Sequence, residues 1–389
     1  MTTEFSRRTL LAGACCVAAA PLVTPVSFAA LPGDRRLVTI VLRGAMDGLA
    51  LVQPHGDPAL RALRPKLALS AEQGLVDLDG FFGLHPSAQA LMPLWRSGEL
   101  GFVHAVSTPY RSGRSHFDGQ DMLESGGAAV QEERTGWLNR AIAAIPRSAG
   151  RKAIDVNTTS ELILSGPNPV DVWTTRADLQ LAEDEQAAFV RLYRHDPLFA
   201  AALSEAMETD LFSDGIFKGE KRGAGVADVA RLAAGMLNGE YRIASFSITG
   251  WDTHIGQDKT FERPVADLCA AILTLKALLA PEAWRRTAIL AITEFGRTAQ
   301  ENGSGGTDHG TGGVAVIAGG AVAGGKVHGA WPGLAEGSLL DGRDLAPTTD
   351  LRQLAAAMLY QQFAIAARDL GRDIFPGLAL DRSASFLRG

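Results

Sequence analysis

Three apolar runs of strand length each lead into an acidic residue, and that repeated arrangement restricts the folds open to this chain. Leu37–Leu42 continues through Arg43-Gly44-Ala45-Met46 to Asp47, and Ile243–Ile248 continues through Thr249-Gly250-Trp251 to Asp252-Thr253-His254. Thr287–Ile292 continues through Thr293 to Glu294-Phe295-Gly296-Arg297. Leu100–Val106 and Val314–Ala318 are two further strand candidates. Between the runs, apolar residues recur at three- and four-residue spacing in Ser87–Arg96, Thr135–Ile145, Ala227–Leu237, Val265–Leu279 and Leu351–Ala366, which predicts helices. Strands alternating with helices predict an α/β fold with a mostly parallel central sheet flanked by helices. Residues 210–225 read as a surface loop, and 147–180 is ambiguous between strand and helix.

In open α/β sheets, ligands collect beyond the carboxyl ends of the strands. A single acidic residue there is most economically a helix cap or a turn former. Three at one sheet edge would repel one another unless a cation sat among them. Three of the eight histidines stand beside carboxylates: His116 near Asp118, His254 near Asp252, and His309 after Asp308. In an extended segment Asp252 and His254 point to the same side and can grip one ion. Mixed carboxylate and imidazole donors suit zinc, manganese or iron better than calcium. His55, His85, His104, His195 and His328 lack such company and read as structural or exposed.

The glycine-rich run Asn302–Gly313 has no Gly-Lys-Ser/Thr and no dinucleotide fingerprint, so it is not a nucleotide loop. It reads as a loop that carries His309 to a metal. Ser115, within Arg114-Ser115-His116-Phe117, precedes a predicted helix over 117–124. Its hydroxyl reads equally well as a helix cap and as an activated nucleophile. Arg114 and Arg297 are candidates to hold an anionic substrate.

The N-terminus adds a location. Ser6-Arg7-Arg8-Thr9-Leu10-Leu11 opens a stretch with no charge from Leu10 to Ala30, closing on Ser27-Phe28-Ala29-Ala30. This is the layout of a cleaved twin-arginine export signal over residues 1–30, which predicts a periplasmic or secreted protein and engagement with the twin-arginine export machinery. Pro21 and Pro25 interrupt the run and disfavour a membrane anchor. Beyond residue 30 only Cys269 remains of three cysteines, so no internal disulfide can form. The whole chain carries a net charge of −6; Glu4, Arg7 and Arg8 contribute +1 of it, leaving −7 for residues 31–389. That balance argues against nucleic acid as a partner, and no segment past the signal is apolar enough to span a membrane.

At these residues the sequence becomes familiar. Leu42-Arg43-Gly44-Ala45-Met46-Asp47-Gly48-Leu49, Phe81-Phe82-Gly83-Leu84-His85-Pro86, Arg114-Ser115-His116-Phe117-Asp118-Gly119-Gln120, Gly250-Trp251-Asp252-Thr253-His254, Thr293-Glu294-Phe295-Gly296-Arg297 and Gly306-Thr307-Asp308-His309-Gly310 resemble the twin-arginine-exported bacterial family catalogued as domain of unknown function 1501. That family in turn resembles the alkaline phosphatase and sulfatase superfamily. The resemblance implies one alkaline-phosphatase-like α/β domain over residues 31–389, with two metals at one sheet edge. It implies Asp252, His254 and His309 as ligands of a first metal, zinc or manganese, with Asp308 beside them. It implies Asp47 and Glu294 as ligands of a second, harder ion (magnesium, manganese or calcium). Phe295 stands where the superfamily's second site has a histidine. Ser115, or His116 in its place, matches the nucleophile position.

The function expected from this reading is a metal-dependent hydrolase of phosphate or sulfate esters, acting on a small anionic ester. A metal-binding envelope or assembly protein without turnover is the alternative, and a carbohydrate-binding envelope protein a further one.

Overall fold

The computed structural model describes residues 34–111, 113–145, 152–155, 161–172, 189–193, 196 and 225–388. The predicted export signal, His195 and residues 210–224 of the predicted surface loop lie outside the described residues.

Among the described residues the strands are β1 (Arg36–Leu42), β2 (Val52–Gln53), β3 (Val76–Asp77), β4 (Gly83–Leu84), β5 (Leu100–Ser107), β6 (Lys152–Asp155), β7 (Asp171–Val172), β8 (Tyr241–Ile248), β9 (Thr287–Ile292), β10 (Gly313–Ala318), β11 (Val327–His328) and β12 (Thr349–Asp350). Nine of them form one sheet in the order β11-β5-β10-β9-β1-β8-β6-β7, with β12 pairing β5 as well. Every pairing is parallel except those of β10, which runs antiparallel to both β5 and β9. The strands β2, β4 and β3 make a separate small antiparallel sheet.

The central strands are apolar almost throughout because both of their faces are covered. Every residue of β1 is buried. Its side chains divide with period two: Val38, Ile40 and Leu42 join the core on one face, and Leu37 and Val41 the core on the other. On the first face lie α1 (Val226–Asn238) and α2 (Glu262–Leu278), which pack on each other, and on the second lie α3 (Trp137–Ala144) and α4 (Leu351–Phe363). The result is a mixed, mostly parallel sheet between helical layers. The lone Cys269 is buried on α2, and burial pushes its thiol pKa up to about 12.

Local chemistry accounts for the differences from the sequence reading. The predicted helix 87–96 is a 3₁₀ turn (Pro86–Leu91) followed by a short α-helix (Met92–Arg96), because Pro93 lacks an N–H and must sit in a first turn. The predicted helix 351–366 ends at Phe363, where Ala364 turns left-handed with φ 54°. Within the ambiguous segment 147–180, the described portions hold β6, β7 and a 3₁₀ turn over Leu162–Leu164. Among the described residues no helix is long and apolar enough to cross a membrane.

Burial lowers the pKa of His85, His104 and His328 from the ordinary 6.5 to about 4. Between pH 6.5 and 4 the unfolded chain therefore binds more protons than the folded one. Stability from these groups is fully present above pH 6.5 and is lost as pH falls toward 4. The fully buried His104 alone gives a slope of up to about 1.4 kcal/mol per pH unit in that window. Urea midpoints should accordingly drop between pH 7 and pH 5; equal midpoints would mean that these rings protonate as readily in the folded chain as in the unfolded one.

Candidate metal centre

The topology delivers the acidic segments to one place. β8, β1 and β9 are adjacent and parallel, so the turns that follow them leave from the same edge. β5 is antiparallel to β10, as β9 is, so β5 runs with β9 and its exit toward Ser115-His116 opens on that edge too. Because β10 runs the other way, its entrance, carrying His309, lies there as well. Five segments of the chain thus meet at the carboxyl edge of the sheet.

At that edge His116, Asp252 and His309 each offer a donor atom, all within 4.8 Å of one another, the one such group among the described residues. Asp252 Oδ1 is the hub: it lies 3.5 Å from His116 Nε2, 3.3 Å from His309 Nε2 and 3.1 Å from His254 Nε2. His254 Nε2 and His309 Nε2 are 3.0 Å apart. His116 caps this cluster as the first residue of α5 (His116–Ser125). The cluster opens to solvent, with the Asp252 side chain 48 % exposed and that of His254 39 %.

Each of these imidazoles has its other nitrogen occupied by an oxygen. His116 Nδ1 donates to Glu294 Oε1 at 2.7 Å, His254 Nδ1 to Asp308 Oδ1 at 3.2 Å, and His309 Nδ1 to the Arg114 carbonyl at 2.9 Å. A carbonyl or an ionised carboxylate only accepts, so the proton sits on Nδ1 and leaves a lone pair on each Nε2. Three lone pairs and a carboxylate oxygen facing one another favour a cation; the Arg297 guanidinium supplies one to Asp252 Oδ1 at 2.5 Å and to His254 Nε2 at 3.4 Å, which leaves the His116 and His309 lone pairs for a metal ion. His116 Nε2 is buried with no hydrogen-bond partner. The separations of Asp252 Oδ1 from the three Nε2 atoms, and of His254 Nε2 from His309 Nε2, are 3.0–3.5 Å, close to the donor–donor spacing of about 3.3 Å for ligands about 2.0 Å from a tetrahedral zinc. The donor set therefore fits a divalent transition metal.

The electrostatics agree. The hydrogen bond to Glu294, with Asp252 facing the ring as well, raises the His116 pKa against the effect of burial, which marks a place that prefers positive charge. Burial opposes ionisation of Asp252, yet the Arg297 guanidinium, His254 and His309 hold its pKa below the ordinary value. Burial lowers the pKa of His309, which favours the neutral form that ligation requires. Phe295 stacks on His116 at 5.3 Å between ring centroids and lies 5.1 Å from His309, so it floors the ligand rings.

The glycine-rich loop owes its composition to close approach. A Cβ on Gly306 would come within 2.4 Å of the His254 backbone, and one on Gly310 within 2.4 Å of the Arg297 backbone. Those two contacts seat Asp308 and His309 against the segment they serve.

The remaining predicted site residues take other places. Asp47 is fully buried and turned away from the cluster. Its Oδ2 accepts from Arg64 Nη1 at 2.7 Å and Gln257 Nε2 at 2.6 Å, while Oδ1 accepts the Ala50 N–H and caps the turn Gly48–Leu51. Glu294 is fully buried too: Oε1 takes the Gly44 N–H, His116 Nδ1 and Gln120, and Oε2 the Thr293 hydroxyl. Asp308 serves His254 and Asn302. Arg297 is no free anion receptor. Buried, it donates to the carbonyls of Gly44, Ala45, Trp251 and Thr307 and to Asp252 Oδ1 at 2.5 Å. Arg114 contributes its carbonyl and leaves its side chain exposed. Ser115 caps α5 through a 3.4 Å contact with the Asp118 N–H. Arg64 and Gln257 carried no sequence signal, since each matters only through a partner that the fold brings to it.

Fold and site together define an α/β protein with a His/Asp/His group able to hold a metal ion at the carboxyl edge of its sheet. The chain matches the family described as Protein of unknown function (DUF1501) over residues 34–372 and belongs to it. No curated protein matches it.

Proposed function

We propose that this chain is an exported metal-dependent hydrolase of phosphate or sulfate esters, with chemistry like that of the alkaline phosphatase and sulfatase superfamily. The observation that carries this reading is the group His116, Asp252 and His309, three donors in a solvent-open position that leave a fourth coordination place for water or substrate. Catalytic metal centres keep such an open position, whereas structural ones are closed. When bound, zinc or manganese supplies Lewis-acid polarisation of an ester oxygen. The chain's own residues hold and orient. Asp252, His116 and His309 would hold the ion with His254 beside them, Glu294 and Arg297 hold their geometry from behind, and the exposed Arg114 side chain would meet the anion. Ser115, one residue from His116, supplies the hydroxyl that attacks.

A second reading, a metal-binding envelope or assembly protein without turnover, draws on Asp47 and Glu294. Both are committed to buried partners, so the second ion of a two-metal phosphoesterase lacks its ligands. The test is metal content after dialysis together with hydrolysis of p-nitrophenyl phosphate and p-nitrophenyl sulfate. The hydrolase reading expects retained metal, measurable turnover, and loss of turnover with metal retained in Ser115→Ala. Retained metal with no turnover on a range of esters favours the second reading, and absence of metal removes both.

A further inference from the structure

We infer that this centre takes a single metal ion, and that Glu294 is not a ligand but the positioning residue that fixes His116 for it. The inference rests on the proposed metal centre and adds the ion count and the role of the carboxylate.

Two observations carry it. The first is the commitment of both carboxylates expected at a second ion. Asp47 is closed in by Arg64, Gln257 and the Ala50 N–H. Arg64 in turn directs its other donors to the Thr298 and Ala299 carbonyls, so the pair is complete without a cation. Gln257 returns its carbonyl oxygen to the hydroxyls of Thr253 and Thr307. Asp47 therefore braces, from inside, the two loops that carry His254 and His309. The second observation is that Glu294 meets the cluster only through the far nitrogen of His116, at 2.7 Å. Its other contacts, to Gly44, Gln120 and Thr293, lock the carboxylate in place. A carboxylate behind a ligating imidazole fixes the tautomer and ring orientation and raises the ligand's basicity. Asp308 behind His254 and the Arg114 carbonyl behind His309 repeat the pattern, but only Glu294 is both charged and fully buried.

Cobalt(II) titration of the metal-free protein, followed by visible absorption, tests this. The wild type should reach its endpoint at one ion per chain. Glu294→Gln should keep that endpoint and bind about 10–100-fold more weakly, the usual cost of losing an outer partner of a ligand. In a His116→Ala background the same substitution should change affinity by less than about threefold, because a residue that acts through His116 has nothing left to act on. A purely structural role for Glu294 would instead weaken binding equally in both backgrounds and would overturn the assignment. So would a wild-type endpoint of two ions, with the second lost in Glu294→Gln. If the wild type takes up no cobalt, the metal reading itself fails. The wild-type endpoint decides the ion count even if Glu294→Gln does not fold.

Discussion

Arg64→Ala is expected to be among the most destabilising single changes in the molecule, at about 3–5 kcal/mol. Removing Arg64 leaves the Asp47 carboxylate in the interior with its charge uncompensated, both side chains being 1 % exposed. It also frees the Thr298 and Ala299 carbonyls that Arg64 satisfies. The double variant Arg64→Met/Asp47→Leu should recover much of the loss, since a buried pair is costly chiefly when broken one-sidedly. Thermal or urea unfolding of the three proteins is the measurement. A loss below about 1 kcal/mol for Arg64→Ala would mean that water reaches Asp47, and the picture of a closed internal brace would fall.

The second large effect concerns the ligands. If the proposed centre holds a transition metal, His116→Ala and His309→Ala should each release it on exhaustive dialysis, with a loss of affinity greater than the roughly 10–100-fold expected for an outer partner. Glu294→Ala should leave most of it in place at saturating metal. Elemental analysis of purified protein reads the outcome. Should Glu294→Ala strip the metal while His116→Ala keeps it, Glu294 is the ligand and His116 its support.

How much of this could be read in advance depended on how local the cause was. Strands β1, β5, β8, β9 and β10 were legible because a strand buried on both faces must be apolar along its whole length. Asp252, His254 and His309 were legible because side chains two apart in an extended segment meet, and because an Asp-His at the entrance to an apolar strand has few structural uses. What decided the rest was pairing across long separations. Nothing near Asp47 announces Arg64, and nothing near Arg64 announces that its guanidinium is buried. The three acidic residues after β1, β8 and β9 looked alike in sequence, yet one faces the cluster, one supports it through His116, and one faces inward. His116 stood out beside Asp118, but the carboxylate it uses is Glu294, 178 residues away. Phe295, in the place of an expected histidine, turned out to pack on the ligand rings. Helix ends followed backbone chemistry at Pro93 and Ala364 rather than the apolar spacing.

The single reversed strand has a consequence for the order of assembly. A sheet holding β1, β8 and β9 but lacking β10 carries Asp252 and His254 at its edge, and no more of the coordination set. His116 follows β5, and β5 joins the growing sheet only through β10. The step that inserts β10 therefore completes the set from both sides at once, bringing His309 on its own entrance and docking the strand that precedes His116. Closing those contacts joins residues up to 193 apart in the chain (His116 to His309), a long-range closure of the kind that slows folding. An ion present earlier meets only a carboxylate and one imidazole, a weak and unselective pair. For the proposed metal centre, discrimination among metals would then fall to the finished fold.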